Sequence, residues 1–224
     1  MPSRILSNSN LWVVPSIDTE GDNLWEDVGG GRSFRNIERL PEFQEFCQEL
    51  GLKPTYLVAY EVIEDDKARE VIQQLAKYGD CEIGAHLHAW LTPPYYPPLD
   101  NSGKHTYLHE YPEDIRAAKL ETVTKAIEDA IGARPTSYRG GRWSMDAFTL
   151  KTLEELGYEV DSTVTPMLSW VEFVGASEGG VDYTRAPLLP YHPDLENPIQ
   201  SGQCGVLEVP VSVAARGWMG EVAA

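Results

Sequence analysis

The stretch TYLVAYEVIEDDKAREVIQQLAKYGDCEIGAHLHAW, residues 55–90, decides the fold. Residues 55–60 form a short apolar run with the character of a buried strand. Residues 66–78 set Val71, Ile72 and Leu75 on one helical face, and Gly79 closes the helix. Residues 81–85 are a second short strand, and His86-Leu87-His88 follows it directly. Strand, helix and strand joined by short links are the unit from which parallel sheets are built.

The alternation continues outward on both sides. Upstream, LWVVPSI at 11–17 is short, Val-rich and bounded by polar residues, so it reads as a strand. A helix at 38–50 follows, with Leu40, Phe43, Phe46, Cys47 and Leu50 spaced by three and four and Gly51 as its stop. Downstream come a helix at 113–131, a strand at 136–139, a helix at 146–156, a strand at 159–162 and a last strand at 206–213. The loop at 90–110 holds Pro93, Pro94, Pro97 and Pro98. Loops beyond about 12–15 residues are usually functional or disordered. Trp90, Tyr95, Tyr96 and Tyr107 make this one too aromatic for disorder. The fold class is therefore α/β, with parallel strands and right-handed crossovers. Barrel and open-sheet forms both satisfy the order, and both place ligands at the carboxyl ends of the strands.

The 224 residues show no repeat, low-complexity tract or linker, so one domain over 1–224 is expected. Hydrophobic residues make up 42% and charged residues 24%, ordinary globular usage. Lys and Arg number 18 against 35 Asp and Glu, a formal charge of −17. That balance excludes nucleic acid and anionic membrane as partners, because phosphate binding needs clustered cations. It favours neutral or cationic ligands. No apolar run approaches the roughly 18 residues of a membrane span. Residues 1–10 lack the apolar core of a signal peptide. Cys47, Cys81 and Cys204 are odd in number and form no CxxC, against a disulfide framework or thiolate zinc site. A cytoplasmic, reducing location is expected, and the oligomeric state stays open.

The strand ends carry the chemistry. Asp18-Thr19-Glu20-Gly21-Asp22 follows the first strand, His86-Leu87-His88-Ala89-Trp90 the third, Arg139-Gly140-Gly141-Arg142-Trp143-Ser144 the fourth and Asp161-Ser162-Thr163 the fifth. In extended backbone, residues i and i+2 share a face with Cα atoms about 6.5–7 Å apart. Two imidazoles so placed can converge on one cation at about 2.0–2.1 Å. Asp18 and Glu20 obey the same spacing and divide naturally into a ligand and a base. Two His, one carboxylate and open positions make a hydrolytic metal site. Arg139 is a cation suited to orienting Asp18 or Asp161. Trp90 and Trp143 offer flat apolar faces for a sugar ring. Gly29-Gly30-Gly31 is followed by no Gly-Lys-Ser/Thr and reads as a flexible loop, not a phosphate cradle. No calcium-loop pattern and no Gly-x-Ser-x-Gly elbow occur.

Taken together, these residues resemble the motifs of the polysaccharide deacetylase family, the NodB-homology fold. The resemblance covers about residues 11–213 and implies a distorted, incomplete (β/α) barrel. Ser16-Ile17-Asp18-Thr19 stands at the family's Thr-Phe-Asp-Asp, which makes Asp18 the catalytic base. Thr19 occupies the place of a metal-binding acid, and the ligand role passes to Glu20, with Asp22 a weaker candidate. Glu82-Ile83-Gly84-Ala85-His86 matches the lead-in to the histidine motif. The usual second histidine falls on Trp90, so His88 takes its place. Arg139 matches the third motif, with a backbone N–H near Arg142 as oxyanion donor. Asp161 matches the fourth and is expected to pair with Arg139. Val206 to Val211 resembles the fifth, but its general-acid histidine is missing, leaving His192, His105 and His109 as candidates.

The resemblance implies a divalent metal, zinc foremost, held by Glu20, His86 and His88. It implies a carbohydrate substrate bound by Trp90, Arg142 and Trp143, from which an N-acetyl or O-acetyl group is hydrolysed. Part of the family domain is expected beyond the end of the chain. Hydrolysis of a cyclic amide or imide on the same fold, and sugar binding without turnover, are the rival readings.

Overall fold

The computed structural model describes residues 13–25 and 32–214. The chain alternates as β1 (Ser16–Thr19), α1 (Leu40–Glu49), β2 (Thr55–Ala59), α2 (Tyr60–Glu64), α3 (Asp66–Tyr78), β3 (Glu82–Leu87), α4 (Pro97–Asp100), α5 (Glu113–Ile131), β4 (Ser137–Gly140), α6 (Ala147–Glu155), β5 (Val160–Asp161) and β6 (Leu207–Glu208). All six strands are parallel and lie in the order β1-β2-β3-β4-β5-β6. A doubly wound sheet reverses its strand order at a switch point. This one never does, so right-handed crossovers return along one face and the sheet curls toward a barrel. Among the described residues β1 and β6 do not pair, and the barrel is incomplete.

Local chemistry sets the element boundaries. Asp65 caps α3 by accepting from the Ala68 N–H at 2.9 Å, and Gly79 ends it at φ 70°. Asp146 caps α6 by accepting from Thr149 N–H at 2.8 Å. Ile72, Leu75, Leu120, Val123, Ile127, Leu150 and Leu153 pack inward against Tyr56, Val58, Ala85 and Tyr138 of the sheet. Each such buried aliphatic side chain contributes about 1.5–3 kcal/mol. Their helix faces fix which edge of the sheet stays open.

Several expected boundaries move. β1 begins at Ser16, because Val13 and Val14 are exposed and outside the ladder; Leu11 and Trp12 lie outside the described residues. Asp18 and Thr19 therefore end the strand instead of following it, and β3 likewise runs through His86 to Leu87. The last strand shrinks from 206–213 to two residues, although Val209 and Val211 still donate to Asp161 and Val164 carbonyls at 2.7 and 2.9 Å. Residues 162–206 form an irregular lobe with its own small core of Val164, Tyr183 and Ala186. The Gly29-Gly30-Gly31 loop, residues 1–12 and the final ten residues lie outside the described residues. No helix among the described residues is long and apolar enough to cross a membrane. Cys47, Cys81 and Cys204 are all free thiols.

Candidate metal centre

Parallel register brings the strand ends to one edge. Asp18 pairs with Leu57, Ala59 with His86, and His86 with Arg139. Period-two alternation then puts Asp18 with Glu20 and His86 with His88 on the same side. Thr19 turns the other way; it is buried and its hydroxyl donates to the Ile17 carbonyl at 3.1 Å.

His86 Nε2 lies 3.2 Å and His88 Nε2 2.6 Å from the same Glu20 oxygen, Oε2. The two Nε2 atoms are 3.0 Å apart. His86 Nδ1 faces the Arg139 carbonyl at 2.8 Å. A carbonyl only accepts, so Nδ1 donates to it and Nε2 is the ring nitrogen aimed at Glu20. Orientation of a ligand imidazole by its other nitrogen is the usual support of a metal site. Both histidines are buried. Two Nε2 atoms this close, with a carboxylate oxygen against both, fit a shared cation at about 2.0–2.1 Å from each. The donor set of two imidazoles and one carboxylate therefore suits a divalent metal.

The local field agrees. Burial alone would raise the Glu20 carboxyl, but hydrogen bonds from His86 and His88 hold it well below the usual carboxylate range. Burial opposes a charged His86, and the Asp18 and Glu20 charges outweigh it, so its pKa lies above the ordinary value. Gly141 makes room for the site. A Cβ there would stand 2.4 Å from the Leu87 oxygen and 2.7 Å from His88 Nδ1.

Arg139 is buried and fully committed. Nη1 donates to Asp18 Oδ1 at 2.6 Å, Nε to the Ser162 carbonyl at 2.7 Å, and Nη2 to the Ser16 and Ser162 hydroxyls at 2.7 and 2.9 Å. The expected Arg139–Asp161 pair is not formed. Asp161 is in register with Tyr138, one residue off Arg139, so Ser162 shares the arginine's face and Asp161 does not. Asp161 accepts from the Thr163 hydroxyl at 2.6 Å and lies in register with Glu208 of β6. Burial pushes both carboxyls up, and their mutual proximity raises Glu208 further.

A cavity of about 710 Å³ opens over this edge, lined by Asp18, Glu20, His86 and His88 and by Trp25, His105, Arg142 and Trp143. Trp90 does not line it. Trp90 is buried with Leu24 and Leu91, its ring 4.7 Å from that of His88, and so packs against the imidazole. Trp25 is the tryptophan on the cavity wall, with ring centroids 5.6 Å from His88 and 5.0 Å from His105. Its position in a polar turn after β1 gave no periodic signal. Arg142 and Trp143 adopt φ of 55° and 58°, consecutive left-handed residues of a kind that concentrates at functional sites.

Of the three histidine candidates, only His105 lines the cavity. His192 Nδ1 donates to the Cys204 carbonyl at 2.9 Å, and His109 Nδ1 contacts the Ser144 hydroxyl at 3.1 Å. Glu61 carries no sequence signal that marks it as a site residue. It sits on α2 directly after β2, 2% exposed, with neither carboxyl oxygen hydrogen-bonded. Asp22 turns to Ser33 and Arg35, away from the histidines.

No protein-family model and no curated protein matches the sequence. Solved structures do. A candidate polysaccharide deacetylase from Mycobacterium smegmatis superposes with a TM-score of 0.56 at 21% identity, over 89% of this chain and 58% of that one. A candidate glycoside hydrolase/deacetylase from Parabacteroides distasonis gives 0.58 at 17% identity, over 88% of this chain and 44% of that one. The chain thus spans about half the length of these relatives. At such identities the likeness establishes a shared fold, the incomplete parallel (β/α) barrel.

Proposed function

We propose that this chain is a metal-dependent hydrolase of the polysaccharide deacetylase type, one catalytic domain that removes an acetyl group from a carbohydrate nitrogen or hydroxyl. One observation carries the reading. Glu20, His86 and His88 converge within 4.8 Å of one another beside an Asp18 oriented by a buried arginine. The fold shared with two structures described as deacetylases supports it.

In this reading Glu20, His86 and His88 hold the ion, and zinc is the best match to a mixed nitrogen and oxygen donor set. A divalent ion so held supplies Lewis acidity, polarising an acyl carbonyl and making water a stronger acid. Asp18 is the general base. Its Oδ1 is engaged by Arg139, which leaves Oδ2 to take a proton from the attacking water. The hydroxyl forms the new bond to the acyl carbon, and the bond from that carbon to the sugar nitrogen breaks. The proton on Asp18 passes to the leaving nitrogen, so the products are acetate and the free amine. His105 is a poor acid for that step: burial, with Arg142 and His88 nearby, lowers its pKa below the ordinary value. Trp25 and Trp143 provide apolar walls for the sugar.

The test is acetate release from N-acetylated chitin oligosaccharides and from O-acetylated xylan, before and after chelation, with zinc or cobalt restored. Activity that vanishes with the metal and returns with it is expected. Undiminished activity in stripped protein would overturn the metal mechanism, and sugar binding without acetate release would make this a binding protein.

A further inference from the structure

The cavity over the metal-ligand cluster has a charge pattern unlike that of the chain as a whole. Its acids are already engaged: Asp18 with Arg139 at 2.6 Å, and Glu20 with the two imidazoles at 2.6 and 3.2 Å. Two further cations line the same cavity, Lys104 and Arg142. In a chain with 35 acidic residues for 18 basic ones, a cation readily finds a carboxylate, and Arg35, Arg39, Arg69 and Arg134 each do. Arg142 does not. It donates to the His105 and Phe173 carbonyls and lies 3.8 Å over the Tyr107 ring. Carbonyl dipoles orient a guanidinium but leave its unit charge in place. Among the described residues the Lys104 ammonium has no partner at all.

The backbone pushes in the same direction. Arg142 and Trp143 are held left-handed one after the other, which sets both side chains on the cavity wall. The Trp143 ring stacks on Trp170 at 6.2 Å and 22°, and Trp170 meets Phe173 at 5.4 Å. A flat aromatic surface thus lies in the same cavity as the candidate metal ligands and two cations that form no ion pair among the described residues. Burial lowers the Arg142 pKa, and the attraction of Tyr107 and Glu110 only partly offsets it. Clefts with one sign of uncompensated charge concentrate ligands of the other sign. Guanidinium in particular matches the paired oxygens of carboxylate and phosphate.

We propose that the substrate is an acidic sugar derivative, whose carboxylate or phosphate is held by Arg142 and Lys104 while its acetyl group meets the metal centre. The proposal rests on the hydrolase reading above and narrows its substrate class. It also reverses the inference from net charge, because the field inside a cleft is set by the side chains that line it.

The experiment compares three probes on the full chain loaded with zinc: N-acetylglucosamine, N-acetylmuramic acid (the same sugar with an added carboxylate) and N-acetylglucosamine 6-phosphate. Both turnover and binding, by calorimetry, are measured. At least one acidic probe is expected to exceed the neutral one by about tenfold or more in kcat/KM or affinity, the weight of one charged hydrogen bond. Which acidic probe wins tells carboxylate from phosphate. Lys104→Met should cut the preference several-fold, Arg142→Met should abolish it, and Arg142→Lys should retain part of it by keeping the charge. Among the described residues Lys104 has no side-chain partner to lose, so its variant stays informative where an Arg142 variant disturbs the wall. Acid-selective binding without any turnover supports this proposal while sinking the hydrolase reading. Equal handling of all three probes, binding of none, or a preference untouched in both Lys104→Met and Arg142→Met overturns it.

Discussion

His86 Nδ1 donates to the main-chain carbonyl of Arg139 at 2.8 Å, while the side chain of the same arginine holds Asp18 at 2.6 Å. One residue of β4 thus fixes the tautomer of the proposed metal ligand through its backbone and the direction of the proposed base through its guanidinium. The two roles are separable by mutation. Arg139→Gln keeps the carbonyl and removes the charge. Metal content should survive, and kcat should fall by about 10²–10³, the scale of a misplaced general base. Steady-state kinetics beside elemental analysis checks this, and loss of metal together with rate would contradict it.

Asp18→Asn tests the base itself. The substitution preserves size and leaves Glu20, His86 and His88 untouched. Turnover should drop about 10²–10⁴-fold, while zinc stoichiometry and sugar affinity stay near wild type. Near-normal turnover would remove Asp18 from the mechanism.

The proposed ligand set predicts loss of metal from each of three single variants. Glu20→Gln, His86→Ala and His88→Ala each take one of three converging atoms. Each should weaken zinc by more than about 100-fold, because even outer-shell partners cost 10–100-fold. Competition with a chromogenic chelator measures it. A fully loaded His88→Ala protein would exclude His88 as a ligand.

The His86 and His88 cluster was legible because its signal is local: alternation in extended backbone puts i and i+2 on one face whatever the fold. The parallel alternation was legible for the same reason, since each strand and helix carries its own period. Relationships across strands were harder to read. Asp161 was assigned to Arg139, but register decides such pairs, and a one-residue offset gave that face to Ser162. Trp90 looked like a cavity wall because it follows a strand, and the turn 88–92 buried it while Trp25 took the wall. The lobe at 162–206 has no period to read, and so Trp170 and Phe173 went unseen. Glu61 follows directly on the strand at 55–60, between Tyr60 and Val62, and no motif marks it.

Gly141 makes a packing prediction. Its missing Cβ leaves the space occupied by the Leu87 carbonyl and His88 Nδ1, at 2.4 and 2.7 Å. Gly141→Ala should cost about 1–3 kcal/mol by overpacking and weaken zinc binding in step, since the backbone before His88 must shift. Calorimetric stability of the metal-free protein and chelator competition read the two effects. An alanine variant with wild-type zinc affinity would mean that the loop yields without moving the ligand.

The Asp161–Glu208 pair predicts how stability changes with pH. Both carboxyls are buried on neighbouring strands, and burial raises each above its ordinary value, 3.8 for Asp161 and 4.5 for Glu208. Below those values folded and unfolded chains both hold the protons, and the pair confers no pH dependence. As pH rises through them the unfolded chain releases protons that the folded protein retains, so unfolding is favoured and stability falls. The decline continues until the folded pair ionises. Glu20 acts in the opposite sense: its lowered pKa contributes stability above 4.5 that is lost on acidification. Glu208→Gln keeps the oxygen that accepts from Val164 N–H at 3.1 Å and removes the ionisation. Metal-free protein carrying it should gain about 1–3 kcal/mol at pH 8. At about 2–4 °C per kcal/mol for a chain of this size, the gain is visible in a melting curve. Its stability should also fall less between pH 5 and pH 8 than that of the wild type. Parallel pH profiles for the two proteins would show that the folded pair is already ionised at neutral pH.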